Sequence, residues 1–135
     1  MIGTSRLTVV FAASLLAGST GGIAAPASAF DASIDNAVAA CVHVDRRPVV
    51  VQGNLVLLPT TLKVKRSVAE CGCKAAALTY RVTDRAGHQV TTGDIWNVAR
   101  DQRREAFDFT FVLSPDASTR AAPPLRLRLG CAAPD

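Results

Sequence analysis

The residues best placed to do chemistry are Cys71 and Cys73, separated by Gly72. Two close thiolates could hold a soft metal such as copper or zinc, or could cycle between thiol and disulfide. A copper or zinc site would want more soft donors. The sequence offers only His43 and His88, distant from each other along the chain, and its single methionine is Met1. A redox pair is usually spaced C-x-x-C beside a βαβ pattern, and neither is present. The remaining cysteines are Cys41 and Cys131, so the count is four. Four cysteines in a small protein of an oxidising compartment read as two disulfides, with no metal. A Cys71–Cys73 bond would close a very small ring. In an extended strand their Cα atoms would stand ~6.5–7 Å apart, at the edge of disulfide geometry. Each is therefore expected to bridge to a distant partner. The first choice is Cys41 with Cys73 and Cys71 with Cys131, with the crossed pairing close behind.

Arginines are the second candidate. Arg81, Arg126 and Arg128 fall on the outward phase of alternating segments, whereas Arg46, Arg47, Arg100, Arg103, Arg104 and Arg120 fall near turns and loops. The first three could form an anion-binding or partner-binding face, the alternative being an ordinary solvated surface. Nucleic-acid binding is not expected, because stacking aromatics beyond the phenylalanines are limited to Tyr80 and Trp96. Catalytic signatures are lacking. There is no G-x-S-x-G elbow, no H-E-x-x-H and no P-loop, and the only glutamates, Glu70 and Glu105, have no partner in the pattern. The expectation is a non-enzyme without a cofactor.

The compartment that decides the cysteine question is written at the N-terminus. Arg6 is the only charged side chain before Asp31; an apolar run, Leu7 to Leu16, follows it, and then Pro26-Ala27-Ser28-Ala29. A positive region, a short apolar region and an A-x-A site in that order form a signal peptide, residues 1–29. The apolar run is too short to span ~30 Å of hydrocarbon as a helix. Paired arginines of a twin-arginine signal are missing. Val38-Ala39-Ala40-Cys41 resembles a lipoprotein box but follows Asp31 and Asp35, far from the apolar run. The expected product is a periplasmic or secreted protein without stable membrane insertion, residues 30–135, forming one domain. Loss of Arg6 takes the formal charge from +4 to +3, too mild to define a partner.

The elements that must position these residues are mostly strands. Ser33 to Cys41 reads as one short N-terminal helix, with Ile34, Ala37, Val38 and Cys41 at helical spacing. Thereafter the period is two. Val49-Val50-Val51 and Leu55-Val56-Leu57-Leu58 flank a turn at Gln52-Gly53-Asn54, and Pro59 is expected to end the second run. Leu62 and Val64 alternate with lysines. Ala77 to Thr92 reads as a hairpin turning at Asp84–Gly87, and Ile95 to Val98 as a short further strand. Phe107, Phe109, Phe111 and Leu113 share one face of a strand, and Leu125, Leu127, Leu129 and Cys131 one face of another. Residues 99–105 have no apolar period and read as a solvated loop. About seven short strands suggest a mainly β, disulfide-stapled immunoglobulin-like β-sandwich.

Glu70-Cys71-Gly72-Cys73-Lys74, Ala77-Leu78-Thr79-Tyr80-Arg81-Val82 and Leu127-Arg128-Leu129-Gly130-Cys131 together resemble a family of small exported proteins of Gram-negative bacteria known only as a domain of unknown function. The resemblance spans Cys41 to Cys131. It implies an exported disulfide domain and assigns no catalytic or binding residue. With catalysis unsupported, the expected role is a non-catalytic module that binds a protein partner in the cell envelope. The alternative is a copper- or zinc-binding or thiol-redox protein built on Cys71 and Cys73. N-terminal sequencing of the exported protein is expected to read Phe30 first, and recovery of Met1 would remove the signal-peptide reading.

Overall fold

The computed structural model describes residues 30–96, 98, 106–117 and 124–133. The expected signal peptide, residues 1–29, and the expected solvated loop, residues 99–105, lie outside the described residues. Eight strands follow in order: β1 (Ala32–Asn36), β2 (Val42–Arg46), β3 (Val50–Gln52), β4 (Leu55–Val64), β5 (Leu78–Thr83), β6 (Gln89–Ile95), β7 (Ala106–Ser114) and β8 (Leu125–Cys131). A short 3-10 turn, Val68–Cys71, precedes β5.

Period-two alternation becomes sheet faces wherever the sequence shows it. In β8 the leucines are buried and Arg126 and Arg128 exposed; in β5 Leu78, Tyr80 and Val82 are buried and Arg81 exposed. The first sheet has the order β1-β8-β5-β6, with β1 parallel to β8 and the other pairs antiparallel. In the second, β4 is central and β7 lies antiparallel along one edge. Strands β2 and β3 lie end to end along the other, pairing with Thr60–Val64 and Leu55–Leu57 respectively. The Phe-rich and Leu-rich strands, adjacent in sequence, thus belong to different sheets. Both sheets contribute to one buried cluster, Leu78, Leu125, Leu127 and Leu129 from the first and Val56, Leu58, Leu62 and Phe111 from the second. Tyr80 of β5 meets Phe111 of β7 edge-to-face, centroids 5.0 Å apart. Its ring also covers Gly93 on the neighbouring strand, where an added Cβ would come within 2.6 Å of the ring.

The helix expected over Ser33 to Cys41 is not formed. Ala32–Asn36 is a strand, and the chain turns over residues 37–41. A helix of about two turns has no stability of its own, whereas β1 gains a ladder of hydrogen bonds with β8. Asn36 stabilises the turn. Its side-chain oxygen accepts from the Val38 N–H at 3.0 Å, and its amide donates to the Val42 carbonyl at 2.7 Å. Ile34 and Val38 meet the core without a helix between them.

Pro59 does not end its strand, and β4 runs straight through it. A residue's N–H and C=O point to the same side of an antiparallel strand. The Pro59 carbonyl accepts from Arg47 N–H, so its missing donor faces the break between β2 and β3, where no partner needs it. The β3–β4 turn forms as read, with Gly53 at positive φ. Strand β6 ends at Ile95, Trp96 stands outside it, and Asn97 lies outside the described residues.

The disulfides are Cys41–Cys71 and Cys73–Cys131, with Cα separations of 6.2 and 5.1 Å. This is the crossed pairing rather than the first choice. An extended strand was expected through Cys71 and Cys73. Instead Cys71 ends a 3-10 turn, and Gly72 at φ 86° reverses the chain, so the two sulfurs diverge. Lys65 and Arg66 both donate to the Cys41 carbonyl, which brings the segment leading to Cys71 against Cys41. Leu78 opposite Cys131, and Ala132 N–H on the Ala77 carbonyl, bring Cys73 to the end of β8. Two such bonds belong to an oxidising, non-cytoplasmic compartment. They span 30 and 58 residues, and closing loops of that size is worth on the order of 4 kcal/mol each in the chain-entropy account. Cys131→Ser should lower unfolding free energy by about 2–5 kcal/mol in a denaturant titration and leave Cys73 as the one free thiol. A loss below about 1 kcal/mol would show that the bond is dispensable.

Candidate functional site

The inward leucines of β8 fix Arg126 and Arg128 on the outer face of the first sheet. Pairing with β5 and β1 then decides their neighbours. Arg128 lies directly opposite Arg81 on β5 and Asp35 on β1, while Arg126 lies opposite Thr83 and Ser33. Thr92 of β6 completes the row beyond Arg81. All three candidate arginines therefore meet on one face.

Two guanidinium side chains directly across a strand pair repel each other. Among the described residues only Asp35 comes within ion-pair distance of them, its Oδ2 lying 3.8 Å from Arg128 Nε, with side chains 57% and 72% exposed respectively. At that distance and exposure the pair contributes little. Arg81 and Arg126 make no ion pair among the described residues. The face encloses a shallow groove of about 490 Å³, with Asp35, Arg81, Arg126 and Arg128 along it and Gly130 in its lining. A Cβ built on Gly130 would project into open space. A second hollow of about 240 Å³ adjoins through Arg126 and Thr83. Thr79 and Thr92 also border the main groove, and their hydroxyls are committed as donors, to the Gly93 and Tyr80 carbonyls at 3.2 and 2.9 Å.

The outer face of the second sheet has the opposite character. Asp45 accepts from Lys63 at 2.5 Å and pairs with His43 at 2.8 Å. The Lys63 hydrogen bond and then that of His43 hold its carboxyl below the ordinary range. Asp108 accepts from Thr61 and from Arg47, each at 2.7 Å, which lowers it in the same way, Thr61 contributing most. Charges on this second sheet are neutralised locally. On the first sheet, Asp84 in the β5–β6 turn is lowered by the His88 backbone N–H and then its ring.

The other candidates do not converge. All four cysteines are in disulfides. His43 and His88 are exposed, each beside an aspartate close in sequence. Among the described residues no three His, Cys, Asp or Glu side chains gather as a metal site. Arg46 donates to the Ala32 carbonyl and approaches Asp31 at 3.9 Å, while Arg47 belongs to the Asp108 network. Arg100, Arg103, Arg104 and Arg120 lie outside the described residues. Tyr80 is core, and Trp96 is 63% exposed. Sequence reasoning missed Asp35, since a helical reading of that segment hides which strand it joins. It also missed Gly130 and the threonines. Their signal was present, because Gly130 follows Arg128, and Thr79 and Thr83 flank Arg81, at the same period of two.

No helix among the described residues is long and apolar enough to cross a membrane. Neither the curated proteins nor the solved structures contain a match to the chain. One family model, described as "uncharacterized protein conserved in bacteria (DUF2195)", matches residues 15–134, nearly the whole sequence. On that match, the arginine groove, the two sheets and the two disulfides are those of a protein that belongs to the DUF2195 family of bacterial proteins.

Proposed function

We propose that this protein is an exported, non-catalytic interaction module of the bacterial cell envelope that binds an acidic protein through the outer face of the β1-β8-β5-β6 sheet. Its scaffold in this reading is an immunoglobulin-like β-sandwich, the two sheets closing on the Tyr80–Phe111 contact and pinned by two disulfides. The order of Arg6, the apolar run and Ala27-Ser28-Ala29 supports export to the periplasm or beyond, as do the disulfides.

One observation carries the binding reading: Arg81 stands opposite Arg128, with Arg126 two residues away, over an open groove. Such an arrangement costs stability in the free protein. An anionic partner turns the repulsion into attraction and adds charge-assisted hydrogen bonds from the guanidinium forks. The competing reading, a copper or zinc site or a redox pair at Cys71 and Cys73, would require thiolates. Each of these sulfurs is already bonded to a different distant cysteine, which favours the scaffold.

Affinity capture from envelope extract with the disulfide-bonded protein tests the proposal. The native protein should retain acidic proteins that elute as salt rises and the Debye length shrinks from ~10 Å at 0.1 M. The triple reversal Arg81→Glu, Arg126→Glu, Arg128→Glu should lose them, whereas Lys74→Glu, outside the groove, should not. Equal capture by the reversed and native proteins would overturn the reading. Thiol titration of the oxidised protein should find no free thiol, and two reactive thiols at Cys71 and Cys73 would revive the metal or redox reading.

A further inference from the structure

We infer that the groove recognises an extended peptide segment bearing carboxylates on alternate residues, laid lengthwise along β8. The inference rests on the protein-binding reading above and specifies the feature that is bound.

Spacing is the first argument. Arg126 and Arg128 are two residues apart on one face of a strand, which sets them ~6.5–7 Å apart. An extended peptide repeats its same-side side chains at that same pitch. Carboxylates at positions i and i+2 then meet Arg126 and the Arg81–Arg128 pair in turn. The next position at this pitch is Gly130, which has no side chain and whose Cβ direction is open. A strand glycine of this kind lets another backbone approach closely.

Width is the second argument. Asp35 on β1 and Arg81 on β5 stand on either side of Arg128, two strand spacings apart, or about 9.6 Å. A chain lying over Arg128 along β8 therefore has both flanking side chains within reach.

Hydrogen-bond polarity separates a peptide from a simple oxyanion. The Thr79 and Thr92 hydroxyls bordering the groove have given their hydrogens to the Gly93 and Tyr80 carbonyls, so they present oxygen lone pairs. A sulfate group brings only acceptors to these positions, and a phosphate at most a P–OH or two. A peptide brings backbone N–H donors for the threonines as well as carboxylates for the arginines. Asp35 is the competing internal anion, loosely held at 3.8 Å from Arg128, and any bound carboxylate must share or displace it.

The test is fluorescence anisotropy of labelled peptides titrated with the purified, disulfide-bonded protein. One peptide carries glutamates on alternate residues with threonine between them; a second has the same composition with its glutamates in adjacent blocks. The alternating peptide should bind more tightly, and Arg128→Ala should weaken it about tenfold, the loss expected for a hydrogen bond to a charged group. Gly130→Val should weaken it by occupying the groove while leaving every charge in place. Asp35→Asn should tighten it about two- to threefold, the scale of an exposed ion pair. A variant that merely damaged the fold would not bind better. Circular dichroism and a zero thiol count check that each variant is folded. Equal affinity for the two peptides, or no response to Gly130→Val and Asp35→Asn, would overturn the inference, as would tighter binding of inorganic phosphate or of a sulfated saccharide of equal charge. If the alternating peptide fails while envelope capture still depends on the arginines, this inference falls and the interaction reading stands. If capture ignores the charge reversal, both fall.

Discussion

Strand β8 is hydrogen-bonded on both edges, to β1 in parallel and to β5 antiparallel, and its alternation of leucine with arginine leaves it one orientation. Slipping its register by one residue would bury two arginines and expose three leucines. Burial of Leu125, Leu127 and Leu129 therefore does two things at once. It anchors the first sheet to the shared core, and it holds Arg126 and Arg128 outward at strand pitch. The core and the arginine face are opposite sides of the same constraint.

The disulfides extend that constraint to the segments without strand pairing. Between β4 and β5 the chain has only a 3-10 turn and a left-handed glycine to organise it. Cys71 ties the turn to the β1–β2 connection, and Cys73 ties its exit to the last residue of β8. Val68 packs the turn into the core, and the disulfides hold the chain on either side of Gly72. Cys131 also borders the groove, so the bond that staples the connection also steadies the end of the strand that carries the arginines.

The two outer faces handle charge differently. On the second sheet, aspartates are matched by lysine, arginine, histidine and threonine within hydrogen-bond distance, and Asp45 and Asp108 are easier to ionise as a result. On the first, three guanidiniums share a groove with one carboxylate at 3.8 Å. A fold that neutralises charge locally on one side and leaves it standing on the other concentrates its electrostatic attraction on the second of these. That asymmetry is what supports the binding face proposed on the first sheet.

Most of the strands were legible because burial on one face forces a period of two: Phe107 to Leu113 and Leu125 to Cys131 declare their inner sides in the residues themselves. The pairing of cysteines in two long-range bonds was legible from their even number and from the small ring that a Cys71–Cys73 bond would close. Which cysteine met which was not, because that depends on Gly72 reversing the chain between Cys71 and Cys73. The segment Ser33 to Cys41 satisfied a helical spacing, yet Ala32–Asn36 formed a strand and the chain turned after it. Pairing with β8, more than ninety residues later in the chain, selected the strand. Pro59 could continue a strand only because the neighbouring edge breaks beside it. Local sequence thus determined which side of each segment is apolar, since that follows from side-chain chemistry and backbone period alone. Tertiary structure decided which segments became neighbours, and so brought Arg81 opposite Arg128, Asp35 beside it and Gly130 into the groove, because strand order and register are set by the core as a whole.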